Sequence, residues 1–222
     1  MPNSKRETTI SIPAGDVSLA ADFTQPDDPV GVVLFAHGSG SSRRSPRNRM
    51  VAAALQDSRL ATVLAELLTQ EEERIDLRTG RLRFDVDLLT VRLIAMIDWL
   101  RTQADTAGLG LGLFGASTGA AGAIGAAAAC GDAVGAVVSR GGRPDLADQD
   151  LPLLRAPTPL IVGSLDTTVL ELNRQAFGAL RAPKQLEVVP DASHLFEEPG
   201  ALDRVAELAR DWFLRHLGPP SG

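Results

Sequence analysis

The chain has 222 residues, 44% of them hydrophobic and 23% charged, the proportions of a soluble globular domain long enough for one buried core. A net charge of −6 and a pI near 5.1 exclude a basic nucleic-acid surface, and the single cysteine, Cys130, excludes an internal disulfide framework. That cysteine and three histidines (His37, His194, His216) form no dense set of metal ligands, no apolar run reaches transmembrane length, and MPNSKRETTISIP lacks a signal-peptide core. The expectation is a cytoplasmic protein with no metal, no cofactor and no nucleic-acid or membrane partner. One domain should cover 1–222, with frayed tails at 1–7 and 218–222.

Thr8–Ile12 and Val17–Phe23 alternate apolar and polar residues around Pro13-Ala14-Gly15-Asp16, which predicts an antiparallel hairpin at a sheet edge. Gly31–Ala36, GVVLFA, is apolar throughout, as expected of a strand buried on both faces. It runs into the loop His37-Gly38-Ser39-Gly40-Ser41-Ser42. A helix should follow over Pro46–Asp57, with Arg47 and Arg49 outward and Met50, Val51 and Ala54 inward. Leu60–Leu67 reads as strand or helix, and its place in the alternation favours strand. Thr69–Arg83 reads as a charged surface loop with Glu71–Glu73 solvated. Leu88, Val91, Ile94, Ile97, Trp99 and Leu100 recur at helical spacing, so Phe84–Gln103 is a long helix.

Leu111–Phe114 is a short apolar run that breaks into Gly115-Ala116-Ser117-Thr118-Gly119, followed by an Ala/Gly-rich run to Cys130. Further strands are expected at Val134–Ser139, Leu160–Val162 and Gln185–Val189, and helices at Val169–Leu180 and Ala201–Leu217. Such alternation specifies an α/β domain: a mostly parallel sheet with helices on both faces.

The stretch Gly115–Gly119 matches G-x-S-x-G, the nucleophile elbow, in its required strand–turn–helix setting. A serine on so sharp a turn needs small neighbours, because the flanking backbones approach closely. Gly110–Gly115 also satisfies G-x-G-x-x-G, but the polar QADTA precedes it where a dinucleotide site needs an apolar strand. Dinucleotide binding is therefore disfavoured.

Two further residues fall at strand ends where the elbow needs them. Asp166 follows one strand and His194 the last, giving the order Ser117, Asp166, His194. A serine hydroxyl needs a base to take its proton, His194 would be that base, and Asp166 would fix the imidazole tautomer. The Thr118 backbone N–H and one from the loop at Ser39 would stabilise the oxyanion. Each residue also has a plainer role to weigh. Asp166 suits a helix N-cap, His37 suits local hydrogen bonds, and His216 suits a helix C-terminus. Coincidence of all three triad positions at strand ends favours chemistry.

The chain resembles the α/β-hydrolase superfamily, and within it the small, cap-less, dienelactone-hydrolase-like group. The resemblance spans about Ile10 to Leu217 and rests on AHGSGSSRRSPRN (Ala36–Asn48), FGASTGAAGA (Phe114–Ala123), IVGSLDTTV (Ile161–Val169) and ASHLFEEPG (Ala192–Gly200). It implies nucleophile, acid and base at Ser117, Asp166 and His194. Substrate contacts are expected at His37, Gly38 and Arg143, which follow strands on the same side. Dienelactone hydrolases proper use cysteine as nucleophile; serine here favours a general ester or lactone hydrolase acting on a small-molecule substrate. An acyltransferase, or a binding protein on the same fold, remains as the alternative. Arg140–Thr158 is too short for a helical cap domain, so the site should be open. Arg43, Arg44, Arg47, Arg140 and Arg143 either attract an anionic substrate or pair with Glu71–Glu73 and water.

Overall fold

Two fully buried strands lie at the centre of the sheet and run parallel, β3 (Gly31–Ala36) beside β5 (Leu111–Ala116), with Leu34 opposite Leu113 and Ala36 opposite Gly115. The structure is a computed structural model and describes residues 4–218. The other strands are β1 (Lys5–Ala14), β2 (Val17–Pro26), β4 (Leu60–Ala65), β6 (Ala136–Arg140), β7 (Thr158–Gly163) and β8 (Lys184–Val189). Their order is β1-β2-β4-β3-β5-β6-β7-β8, antiparallel as far as β4 and parallel beyond it.

Helices α1 (Pro46–Asp57), α2 (Gln70–Thr79), α3 (Val86–Leu100), α4 (Thr118–Cys130), α5 (Thr167–Ala179) and α6 (Ala201–Leu217) complete the chain. Both faces of the sheet are covered. On one, Val33, Phe35, Phe114 and Val138 pack with Val51 and Leu55 of α1 and Phe213 of α6. On the other, Leu34, Leu113 and Val137 pack with Leu93 and Met96 of α3 and Ile124 of α4. The α/β class and the absence of an inserted cap agree with the sequence reading. Arg140–Thr158 holds only a short 3₁₀ turn, Pro144–Ala147, and irregular turns. No helix among the described residues is long and apolar enough to cross a membrane.

Four local expectations need correction. The tail does not fray at residue 7, because Lys5 to Glu7 are already paired with Pro26 to Thr24; residues 1–3 and 219–222 lie outside the described residues. Met50 is 40% exposed, since the buried face of α1 runs through Asn48, Val51, Ala52 and Leu55. The buried stripe of α3 is Leu89, Arg92, Leu93, Met96, Ile97 and Leu100, which leaves Val91 exposed.

The fourth correction is the largest. Thr69–Arg83 is no loop: it forms α2 and the 3₁₀ turn Leu82–Phe84 begins at its end. Thr69 and Glu72 make a capping box, Thr69 Oγ1 accepting from Glu72 N–H while Thr69 N–H donates to Glu72 Oε2 at 2.7 Å. Gly80 ends the helix at φ +64°, a conformation that glycine adopts without steric cost. Glu72 is therefore not simply solvated. Arg92 reaches it from α3 with both terminal nitrogens and also donates to Leu67 O at 2.6 Å. The Arg92 hydrogen bonds hold the Glu72 carboxyl down at about 2.

A carboxyl whose folded pKa is depressed stabilises the fold above its unfolded value and loses that contribution as pH falls through the folded value. Glu72→Gln is expected to lower the urea midpoint at pH 7. The gap from wild type should narrow as pH is lowered from about 4.5 towards about 2. A gap independent of pH would exclude the ion pair as its source.

Candidate active site

β5 ends at Ala116, and the chain turns at Ser117 into α4 with φ +51° and ψ −122°. Such backbone strain in a non-glycine residue persists only where the surroundings impose it. Here they do. A methyl group on Gly115 would lie 2.4 Å from Ala120 Cα, and one on Gly119 would lie 2.2 Å from Ala36 O at the end of β3. The two outer glycines of the elbow are thus required by contact with α4 and β3. Ser117 is held from the other side as well, its N–H donating to Arg140 O at 3.2 Å and its carbonyl accepting from Arg143 N–H at 3.1 Å.

Ser117 occupies the N-cap position of α4 but makes no side-chain capping bond. Asp166 does the same at the N-terminus of α5. An N-cap hydrogen bond is worth about 1 kcal/mol, so two capping residues that decline it are directed elsewhere. For Asp166 the destination is clear: Oδ2 lies 2.6 Å from Nδ1 of His194. Asp166 has a largely buried side chain and His194 a partly exposed one, at 15% and 39%. Gly141, just past β6 at φ +51°, passes beneath the imidazole, and a methyl there would sit 3.5 Å from its Nδ1 and Cε1. The ends of β5, β6, β7 and β8 therefore converge on one place at the C-terminal edge of the sheet.

The loop after β3 borders the nucleophile closely. A methyl on Gly38 would lie 3.0 Å from Ser117 Cβ. Thr118 begins α4, where the first backbone N–H groups have no partner within the helix. The Ser39 amide is differently placed from a free oxyanion donor: it donates to Thr118 Oγ1 at 3.0 Å, and Thr118 is buried. This side-chain bond ties the loop to the helix start and could not be inferred from spacing.

His37 is buried and makes local bonds. Its Nδ1 donates to Gly38 O at 3.0 Å and its Nε2 accepts from Leu67 N–H at 3.3 Å. Accepting at Nε2 requires a neutral ring, and burial pushes its pKa down, so Glu66 Oε2 at 3.6 Å faces no charge there. Arg143 is clamped by Asp145, Nε on Oδ1 at 2.9 Å and Nη2 on Oδ2 at 2.7 Å. Its charge is answered within the chain. Arg43 pairs with Asp22 and Glu66, and Arg47 with Glu197 at 3.3 Å, so Glu71–Glu73 take none of these arginines.

A cleft of about 490 Å³ lies between the β3–α1 loop and α2; Gly38 borders both it and Ser117, while Ser117, Asp166 and His194 are not among its lining residues. Gly38 and Ser39 form its inner edge, Leu67 and Leu89 its floor, and Arg44 and Glu73 part of its polar wall. The helix read from sequence as a loop is thus one side of the cleft.

A methyl on Gly119 has no room to adjust, because it meets main-chain atoms of β3. Gly119→Ala should cost more than about 4 kcal/mol and abolish a cooperative thermal transition. Gly38→Ala meets Ser117 Cβ at 3.0 Å and Ala116 O at 3.1 Å, contacts relieved by a shift of a few tenths of an ångström, and should keep a cooperative transition at a lowered Tm. Circular dichroism melting curves distinguish the two.

No protein-family profile matches the chain. It is similar in structure to a dienelactone hydrolase from Anabaena variabilis, with a TM-score of 0.95 and 54% identity over 96% of this chain and 99% of that one. The esterase Est1E from Butyrivibrio proteoclasticus shares the fold at a TM-score of 0.79, with 13% identity over 93% of this chain and 98% of that one. Two Mycobacterium tuberculosis proteins, from strains CDC 1551 and H37Rv, are each named "Putative phosphoribosyl transferase" and are 54% identical over 219 residues, 98% of this chain. The chain spans about half the length of these curated relatives, 48%.

Proposed function

The chain belongs to the dienelactone-hydrolase-like family of α/β hydrolases, and from that premise we propose that it is a serine hydrolase that cleaves small carboxylic esters or lactones. The observation that carries this reading is the aspartate that forgoes its helix cap: Asp166, at the head of α5, is bonded to His194 Nδ1 at 2.6 Å instead. That bond fixes the tautomer with the proton on Nδ1 and leaves Nε2 free as a base.

In the proposed reaction His194 Nε2 takes the Ser117 hydroxyl proton as Oγ attacks the ester carbonyl. The Thr118 N–H, at the positive end of α4, stabilises the oxyanion that forms. A second donor from the loop after β3 is the Ser39 N–H, once it is shared with or released from Thr118 Oγ1. Asp166 stabilises the imidazolium. His194 then protonates the leaving alkoxide, and the alcohol departs from an acyl-enzyme on Ser117. Water, deprotonated by the same imidazole, releases the acid. The chemistry asks for no metal and no cofactor. The cleft with its polar wall and the lack of a cap favour compact, polar esters over long acyl chains.

The name carried by the mycobacterial relatives belongs to proteins about twice as long, and phosphoribosyl transfer gives an activated serine no role. A strained serine at the same sheet edge as an aspartate-positioned histidine favours hydrolysis for this chain.

Intact-protein mass after treatment with a fluorophosphonate is expected to show one adduct on wild type and none on Ser117→Ala. No adduct on well-folded wild type would favour a binding protein without turnover. Asp166→Asn should lower kcat on a phenyl ester by about 10³–10⁴ and leave KM nearly unchanged. A loss below tenfold would remove Asp166 from the mechanism.

A further inference from the structure

Arg140, the last residue of β6, is 8% exposed, and its Nε and Nη1 are buried with no hydrogen-bond partner. Its guanidinium lies 6.0 Å from the centroid of the Phe196 ring, a contact that leaves the polar edge unsatisfied. A buried charge with no counter-charge is among the least favourable features a fold can hold. Burial, and then the nearby positive charge of Arg47, lower the Arg140 pKa to about 10, and no acidic group acts on it in the opposite direction.

Arg47 adds an independent observation. It stands in the first turn of the 12-residue helix α1, which carries no acidic residue there although the dipole favours one. Arg47 Nε is also buried without a partner, and Glu197, its ion-pair partner at 3.3 Å, is 63% exposed. Three donor nitrogens on two guanidinium groups are therefore unused. Arg47 also lines the cleft described above, so its own guanidinium is reached from solvent.

We propose that the guanidinium groups of Arg140 and Arg47 form a binding site for an oxyanion of the phosphate class. A dianion suits the place better than a single carboxylate, because it must answer two guanidinium charges. Arg140 adjoins the catalytic turn, since its carbonyl accepts from Ser117 N–H and the following Gly141 lies under the His194 ring, but the proposed binding does not depend on ester cleavage. The competing explanation is an internal pair with Glu198, whose Oε2 is also buried without a partner.

The test is thermal melting of the full chain in inorganic phosphate and in sodium chloride of equal ionic strength, for wild type, Arg140→Met and Arg47→Gln. Phosphate stabilises many proteins by exclusion from their surface, so the readout is the difference between variants. Phosphate at about ten times its Kd should raise the wild-type Tm by roughly 3–6 °C, and the excess should vanish in Arg140→Met and shrink in Arg47→Gln. In chloride, Arg140→Met should melt at or above wild type, because it removes an unpaired charge. An equal phosphate response in wild type and Arg140→Met overturns the proposal. So does a lower Tm of Arg140→Met in chloride, the signature of a lost Glu198 pair. If Arg140→Met does not fold, an undiminished response in Arg47→Gln overturns it. Calorimetric titration then separates the sources: tighter binding of phenyl phosphate than of inorganic phosphate assigns the site to the phosphate group of a larger molecule, and equal or weaker binding to the free ion.

Discussion

The backbone of α4 approaches β3 so closely that a single methyl group cannot be inserted, and the rest of the site depends on that contact. With Gly119 against Ala36 O and Gly115 against Ala120, the chain has no room to relax Ser117 from φ +51°. The strain is balanced by the burial of α4, whose residues from Thr118 to Ala127 are all inside. Small side chains let that helix enter between the sheet and α3, where Gly122 passes close to Leu89 and Leu93. A helix rich in glycine has poor intrinsic propensity. Here packing overrides propensity, and the result is a turn held rigid from both sides.

The same edge of the sheet shows how local stability is given up for placement. Ser117 and Asp166 both stand where a polar side chain normally caps a helix, and neither does so. Thr69, Asp85 and Ser45 do cap their helices through side-chain oxygens in the same molecule. The sequence does not distinguish the two groups, since each residue precedes a helix and has a suitable oxygen. What separates them is what else lies within reach. Asp166 has an imidazole at 2.6 Å, and a carboxylate near a ring nitrogen prefers that bond to a backbone amide of its own helix.

The order and spacing of the strands were legible because buried parallel strands are continuous apolar runs, and GVVLFA and LGLFGA have no other good reading. Residues placed at the ends of such strands, Ser117, Asp166 and His194, are located by topology alone. Polar burial was not legible. Arg92 lies on the buried stripe of α3, where periodicity treats any arginine as the outer face; it belongs inside only because Glu72 and Leu67 O meet it there. The partner, Glu72, was hidden in turn by an acidic run. The T-x-x-E signature at Thr69 was the available signal, and the charged face that followed it concealed a helix.

The arginines make the same point more sharply. Sequence places Arg43, Arg47, Arg140 and Arg143 alike, each just after a strand on one side of the sheet. The fold gives them different surroundings. Arg43 meets Asp22 and Glu66 from across the sheet edge, Arg143 meets Asp145 two residues on, and Arg47 keeps one exposed partner. Arg140 alone of the four is drawn inward by the alternation of β6, onto the face that carries Ala136 and Val138. A strand position that requires an apolar side chain holds a guanidinium there. Methionine would satisfy the packing there without the cost of taking a charge out of water.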